Sequence, residues 1–148
     1  MKSIQRHVPA ALRILLGVIF FVFGLNGFLN FLPQPPMPSG AGAFLGGLVG
    51  SGYMFPLIKG TEVVSGALLL SNRFVPLALT LLAPVIVNIF LFHAVLAPAG
   101  IVLPIVIVLV EIALAWYYRA AFRPVLDARA KPATREGEAT HRAVSATA

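Results

Sequence analysis

Residues 53–70, Tyr53-Met-Phe-Pro-Leu-Ile-Lys-Gly-Thr-Glu-Val-Val-Ser-Gly-Ala-Leu-Leu-Leu70, form an apolar run that carries two charges, Lys59 and Glu62. The run is typical of a membrane-spanning helix, in which a central charge costs about 3 kcal/mol or more. A carboxylate there must be protonated, paired or next to a wet cavity. Lys59 and Glu62 are three residues apart and share a helix face, which Ser65 and Gly66 continue. We predict that this face points into protein rather than lipid.

The composition is that of an integral membrane protein. Of the 148 residues, 59% are hydrophobic and 11% are charged, whereas about 25% of a soluble domain is charged. Cysteine is absent, which excludes disulfides, thiolate metal sites and dithiol redox chemistry within the chain. The net charge of +6 comes mostly from Lys and Arg that flank apolar runs. This placement is typical of membrane orientation and gives no indication of nucleic-acid binding.

Four apolar runs predict an all-α membrane protein, a four-transmembrane-helix up-down bundle. The spans are predicted at residues 13–32, 54–70, 74–96 and 101–118. We interpret the first run as a retained span, since the core of a secretory signal is shorter and a small-residue cleavage site follows it closely. The first such match after the run, Ala41-Gly-Ala43, lies well beyond it. Prolines in residues 33–38 end this first helix.

A glycine pattern separates the first two spans. Gly42, Gly46 and Gly50 recur at four-residue steps, which favours a short helix with one small-residue face. About a dozen residues are too few to cross a bilayer, so we predict an interfacial or re-entrant helix. A flexible glycine loop is the equally weighted alternative.

The basic residues predict the orientation. Residues 33–54 and 97–100 contain no Lys or Arg, whereas the opposite ends of the runs hold ten. The positive-inside rule therefore places both termini in the cytoplasm, in a bacterial inner membrane. Residues 1–12 are then a cytoplasmic head, 13–118 the membrane domain, and 119–148 a cytoplasmic tail whose composition predicts disorder or weak helix.

Five polar side chains from three spans fall at one depth in this topology. A rise of about 1.5 Å per residue puts them all in the outer half of the membrane, and they form the candidate ligand site: Asn26, Lys59, Glu62, Asn88 and His93. Each also has a structural alternative, such as an interhelical hydrogen bond for Asn26 or a headgroup contact for Lys59. His93 follows Asn88 by five residues, roughly 140° around a straight helix.

The chemistry open to these groups is limited. One membrane-level histidine with one or two carboxylates is too few for a normal metal site, and no serine–histidine–acid set stands out for hydrolysis. His7 and His141 lie in the head and tail, which excludes a two-histidine haem within one chain. What remains is binding of a quinone-like or other amphipathic head group, or proton relay. Glu111 lies deeper, with Arg13 or a backbone group as alternative partners.

The order of these signals resembles the DoxX family of small four-span membrane proteins over residues 10–118. The matching motifs are Arg13-Ile-Leu-Leu-Gly17, Phe23-Gly-Leu-Asn-Gly-Phe28, Gly52-Tyr-Met-Phe-Pro-Leu57, Glu62 with Gly66-Ala-Leu-Leu-Leu70, and Asn88 with His93. The family is named after a subunit of a membrane thiosulfate:quinone oxidoreductase. The resemblance implies that Glu62 and Asn88 belong to the pocket.

Two functions from different classes follow as hypotheses. The first is an accessory subunit of a quinone-linked redox system, with a quinone as the only cofactor expected and redox proteins in the membrane as partners. The second is a non-catalytic scaffold for a larger complex. A small-solute transporter is a third possibility and requires a homo-oligomer, because four spans are few for transport. Enzymatic activity is left open, and no metal or nucleic acid is expected.

Overall fold

The computed structural model describes residues 2–33 and 36–129, which are helical and contain no strand. The prediction of an all-α fold is therefore confirmed for this part of the chain. The helices are α1 (Lys2–Leu29), α2 (Ser39–Gly50), α3 (Met54–Leu70), α4 (Val75–Val95), α5 (Val102–Tyr117) and α6 (Arg119–Phe122), with a short 3₁₀ turn at Pro98–Gly100. Most of the tail predicted to be disordered, residues 130–148, lies outside the described residues.

Helix α1 differs most from its predicted span. It begins at Lys2 rather than residue 13, since strong helix formers such as Ala10, Ala11 and Leu12 extend it beyond the apolar run. It ends at Leu29, three residues early, because Asn30 adopts a left-handed conformation with φ of 50°. A residue of this kind commonly closes a helix, and Pro33 prevents its continuation.

Four helices pack in a closed ring. Helix α1 packs against α3 and α5, and α4 packs against the same two helices. The α1–α3 pair is antiparallel, because Gly17 lies beside Leu70 whereas Gly27 lies beside Lys59. We call the end that carries Arg13, Arg73 and Arg119 the basic end, and the opposite end the cavity end.

The apolar core occupies mainly the basic half of the ring. Its fully buried members come from all four helices and include Leu16, Phe20, Leu69, Leu79, Leu82 and Leu114. The chain reverses between α3 and α4 at residues 71–74 and between α4 and α5 at residues 96–101. The helices are therefore packed together mainly at the basic end, and their opposite ends lie outside this core cluster.

Helix α2 forms where a helix and a glycine loop were equal alternatives. It meets α3 at an angle of 91° and contacts α4 through Phe44, whose ring centroid is 5.7 Å from that of Phe92. A Cβ added at Gly42, Gly46 or Gly50 would have no neighbour within 4 Å in the described structure. The glycine face of α2 is therefore open and takes no part in packing with the described part of the chain.

The helices identify a membrane protein by length and composition. His7–Leu29 and Val75–Val95 are long and apolar enough to cross a membrane, and the bent α2–α3 pair is a third candidate span. Helix α5 is apolar but shorter, at 16 residues. The prediction of a lipid environment is thus supported, and the four-span bundle stays a prediction.

Close backbone approach joins α1 to α3. A Cβ added at Gly66 would lie 2.6 Å from the backbone N of Phe21, and one at Gly24 would lie 2.9 Å from the backbone N of Val63. No side chain fits at such distances, so glycine is required at both positions. Small residues of this kind let helices associate by van der Waals contact in lipid, where no hydrophobic driving force acts between them.

Arg13 fastens the basic end of the same pair. It is 9% exposed, and its Nη1 donates hydrogen bonds to the carbonyl oxygens of Leu69 and Leu70. These carbonyls belong to the last turn of α3 and have no partner within the helix. A positive charge is also favourable at a helix C-terminus, so Arg13 stabilises the end of α3.

We expect Gly66→Ala to destabilise the protein by about 1–3 kcal/mol, the usual cost of overpacking, because its methyl group would meet the backbone of Phe21. The measurement is the midpoint of unfolding in detergent. Gly46→Ala is the matched control, since its methyl group enters open space. Equal midpoints for the two variants would contradict the close contact between α1 and α3.

Candidate functional site

A cavity of about 360 Å³ lies between α2, α3 and α4 at the cavity end. Its apolar lining is built mainly of aromatic and long aliphatic side chains, namely Phe44, Leu48, Met54, Phe55, Ile58 and Phe92. Its polar lining consists of Lys59, Glu62, Asn88 and His93. A mostly apolar cavity with a few convergent polar groups is typical of a small-molecule site.

An ion pair forms the polar wall contributed by α3. Lys59 Nζ lies 2.8 Å from Glu62 Oε2, with the Glu62 side chain 3% exposed and that of Lys59 22% exposed. The ammonium also lies 5.9 Å from the ring centroid of Phe55, within range of a cation–π attraction. The face formed by Glu62, Ser65 and Gly66 is buried, in agreement with the direction predicted for it.

Gly27 on α1 makes room for the lysine. A Cβ at this position would lie 2.5 Å from both Cγ and Cδ of Lys59, so the aliphatic stem of the lysine crosses directly over the glycine. The stem is thereby held between α1 and α3, and the ammonium is directed at Glu62. The α1–α3 contact thus positions the charged group of the cavity.

The ion pair keeps hydrogen-bonding capacity for a ligand. An ammonium has three donors, and Lys59 uses one for Glu62 in the described structure. The carboxylate of Glu62 has a second oxygen, Oε1, beyond the one that accepts from Lys59. Both residues line the cavity, so its wall presents a donor and an acceptor side by side.

Helix α4 contributes Asn88 and His93. Asn88 lines the cavity and is also exposed on the surface of the helices, so the cavity opens sideways there. His93 is half-buried, and its Nδ1 lies 2.9 Å from the carbonyl oxygen of Ile89. Donation from Nδ1 to this carbonyl leaves Nε2 of a neutral imidazole as an acceptor. Both residues line the cavity despite their angular separation, and Phe92, next to His93, contacts Phe44 of α2.

Gly100 leaves space for the ring of His93. A Cβ added at Gly100 would lie 2.8 Å from Cδ2 and 3.2 Å from Nε2 of that histidine. The turn between α4 and α5 therefore fits closely against the imidazole edge. Any larger residue at position 100 would push the ring towards the cavity or out of its hydrogen bond with Ile89.

Asn26 is not among the residues that line the cavity. It is 5% exposed, and its Oδ1 accepts a hydrogen bond of 2.7 Å from the backbone N–H of Leu32. The amide thus stabilises the chain where it leaves α1, a local contact rather than the interhelical one weighed as its structural alternative. Of the five predicted site residues, four line one cavity, and Asn26 lies in the last turn of α1, outside the cavity lining.

The sequence analysis missed the aromatic part of the lining. Phe44 on α2 contacts Phe92 on α4. This contact joins residues far apart in the sequence, so no local sequence pattern predicts it. Phe55 could have been predicted from the sequence, since it precedes Lys59 by four residues and therefore shares its helix face. Within the described residues, no group of three or more His, Asp or Glu side chains comes together.

Comparisons with protein families, curated proteins and solved structures find no match for this chain. The resemblance to the DoxX family therefore rests on its motifs and stays a prediction.

We expect Lys59→Met to destabilise the protein by about 2 kcal/mol, because it leaves the buried carboxylate of Glu62 without its partner. The cost is below the roughly 3–5 kcal/mol of a fully buried pair, since Lys59 is partly solvated. Glu62→Gln in the same chain removes the orphaned charge and should restore part of the loss. A double-mutant cycle on unfolding midpoints measures this coupling, and strictly additive effects would show that the ion pair does not form.

Proposed function

We propose that this chain is a DoxX-like multi-pass membrane protein that binds an amphipathic, quinone-like ligand as an accessory subunit of a quinone-linked redox system. In this proposal it lies in a bacterial inner membrane with both termini in the cytoplasm, which puts the cavity in the outer half of the bundle. The observation that supports the proposal is the cavity itself, which is mostly apolar and has four polar side chains contributed by α3 and α4.

The wall chemistry supports a ligand with a polar head and an apolar body. Lys59 offers donors to a carbonyl oxygen, and Glu62 Oε1 offers an acceptor to a hydroxyl group. The aromatic side chains of Phe44, Phe55 and Phe92 provide flat apolar surface for a ring. A quinone head group has both the oxygens and the ring that these groups can contact.

The position of the opening supports entry from the lipid phase. Asn88 is exposed on the flank of α4, and the neighbouring exposed side chains of this helix, Val87 and Leu91, are apolar. A ligand dissolved in the bilayer could therefore pass beside Asn88 into the cavity without crossing water.

The test is binding of a short-chain quinone to the purified protein, measured by titration calorimetry. We expect Glu62→Gln and Asn88→Leu each to weaken binding about 10- to 100-fold, the loss of one hydrogen bond to a charged or desolvated group. Thr80→Val is the matched control on α4, because its hydroxyl bonds the carbonyl of Pro76 away from the cavity. Unchanged affinity in both site variants, or no binding by the wild type, overturns the proposal.

A scaffold is the second candidate, and the open glycine face of α2 favours it. A partner helix could pack closely against Gly42, Gly46 and Gly50, which have no neighbours in the described structure. Affinity purification in mild detergent separates the two functions. A stoichiometric protein complex that survives Glu62→Gln but is lost in Gly46→Leu favours the scaffold over the ligand-binding subunit.

A further inference from the structure

A second carboxyl group is buried away from the cavity. Glu111 on α5 is 9% exposed, and its Oε2 has no hydrogen-bond partner among residues 2–33 and 36–129. Ile107, Val110 and Leu114 lie on the same face of α5 and belong to the apolar core. Glu111 is therefore embedded in the core of the basic half and is not part of the ligand site.

Among the side chains that the structure describes, the helices packed against α5 offer this carboxyl no ion pair. The only titratable side chain on α4 is His93, which lies at the opposite end of the ring. On α1, Arg13 directs Nη1 at the carbonyl oxygens of Leu69 and Leu70, and it forms no ion pair with Glu111 in the described part of the chain. The expectation that Arg13 is the partner of Glu111 thus has no support.

Arg119 and Lys59 contact other groups, and His7 lies farther along α1. Arg119 on α6 donates to the carbonyl oxygen of Trp116 and lies 5.1 Å from the ring centroid of that tryptophan. His7 precedes Arg13 on α1 by six residues, roughly 9 Å along the helix. Lys59 is paired with Glu62 at the cavity end.

Ser65 adds a second unpartnered polar atom at a similar depth. Its side chain is fully buried, and its Oγ, like Oε2 of Glu111, lacks a hydrogen-bond partner in the described structure. Ser65 lies five residues before the end of α3 and Glu111 six before the end of α5, or roughly 8 and 9 Å from the basic end. The described core therefore contains two buried polar atoms, at similar depth, that have no hydrogen-bond partner.

We propose that Glu111 is a proton-binding site in the basic half of the bundle, separate from the ligand cavity, and that it exchanges its proton with water at the basic end. An ionised carboxylate without a partner in apolar surroundings costs several kcal/mol. The acid form needs no counter-ion and can both donate and accept a hydrogen bond. Carboxylic acids at such positions within membranes mark proton pathways.

The exchange is a simple proton transfer. Glu111 releases one proton to water and takes one back at the same oxygen, so no oxidant, reductant or other reactant is needed. On the same helix, Tyr117 and Arg119 are exposed at the basic end, where the proton would meet water. This site does not depend on quinone binding, and failure of the ligand proposal would leave it standing.

Infrared spectroscopy of the full chain in lipid bilayers at neutral pH tests the site. We expect a carboxylic acid C=O band that moves to lower frequency when water is replaced by D₂O. The band should be lost in Glu111→Gln and retained in Glu62→Gln, the matched control in which the ion-paired carboxylate is removed instead. Glu111→Asp should keep the band at a changed frequency, which assigns it even if Glu111→Gln folds poorly.

Two results would overturn the proposal. If no acid band responds to either substitution at position 111, Glu111 is ionised and another group neutralises it. If the band is present but does not move after long incubation in D₂O, the proton is sealed in the core and the residue has only a structural role.

Discussion

The backbone contact between α1 and α3 is the constraint on which the other features depend. Gly24 and Gly66 let the two helices approach to distances that no side chain would allow. In lipid, where burial of apolar surface gives no driving force, such contacts supply much of the association energy. The same register sets Gly27 beneath the stem of Lys59, whose ammonium lies 2.8 Å from Oε2 of Glu62 on the same helix. The packing of α1 against α3 and the position of the Lys59 side chain therefore depend on the same register.

The two halves of the ring have different physical characters. In the basic half, leucines from all four helices fill the centre, and Arg13 fastens the end of α3. In the other half, α2 turns away from α3 by 91° and leaves a cavity instead of a core. Each half holds one carboxyl group, Glu62 with a cation and Glu111 without one. This difference is why we assign ligand binding to one half and proton binding to the other.

Hydropathy and helix periodicity predicted much of this arrangement. Helix α3 has the predicted bounds, and α4 and α5 agree with theirs within one residue. The pairing of Lys59 with Glu62 follows from their three-residue spacing. Depth along the helices then grouped these two residues with Asn88 and His93, which the structure places on one cavity. The ligand-binding role of the four residues stays a prediction.

Other features depend on tertiary geometry that local patterns do not contain. The amide of Asn26 is used by the backbone of Leu32 because the chain reverses directly after α1, and depth alone cannot reveal this. The aromatic wall requires α2 to cross α4, and the glycine spacing of α2 was equally compatible with a loop. The absence of an ion pair between Arg13 and Glu111 in the described residues follows from Arg13 reaching α3 instead.

Disulfide cross-linking in membranes tests the α1–α3 register most directly, because the chain contains no cysteine of its own. A Cβ at Gly17 would lie 3.2 Å from Cβ of Leu69, close to the spacing that a disulfide needs. The Gly17→Cys/Leu69→Cys pair should therefore cross-link within one chain on mild oxidation, and the Gly17→Cys/Val63→Cys pair, nearly two turns out of register, should not. Equal cross-linking of the two pairs, or efficient cross-linking of the second alone, would contradict the register that sets Gly27 beneath the stem of Lys59.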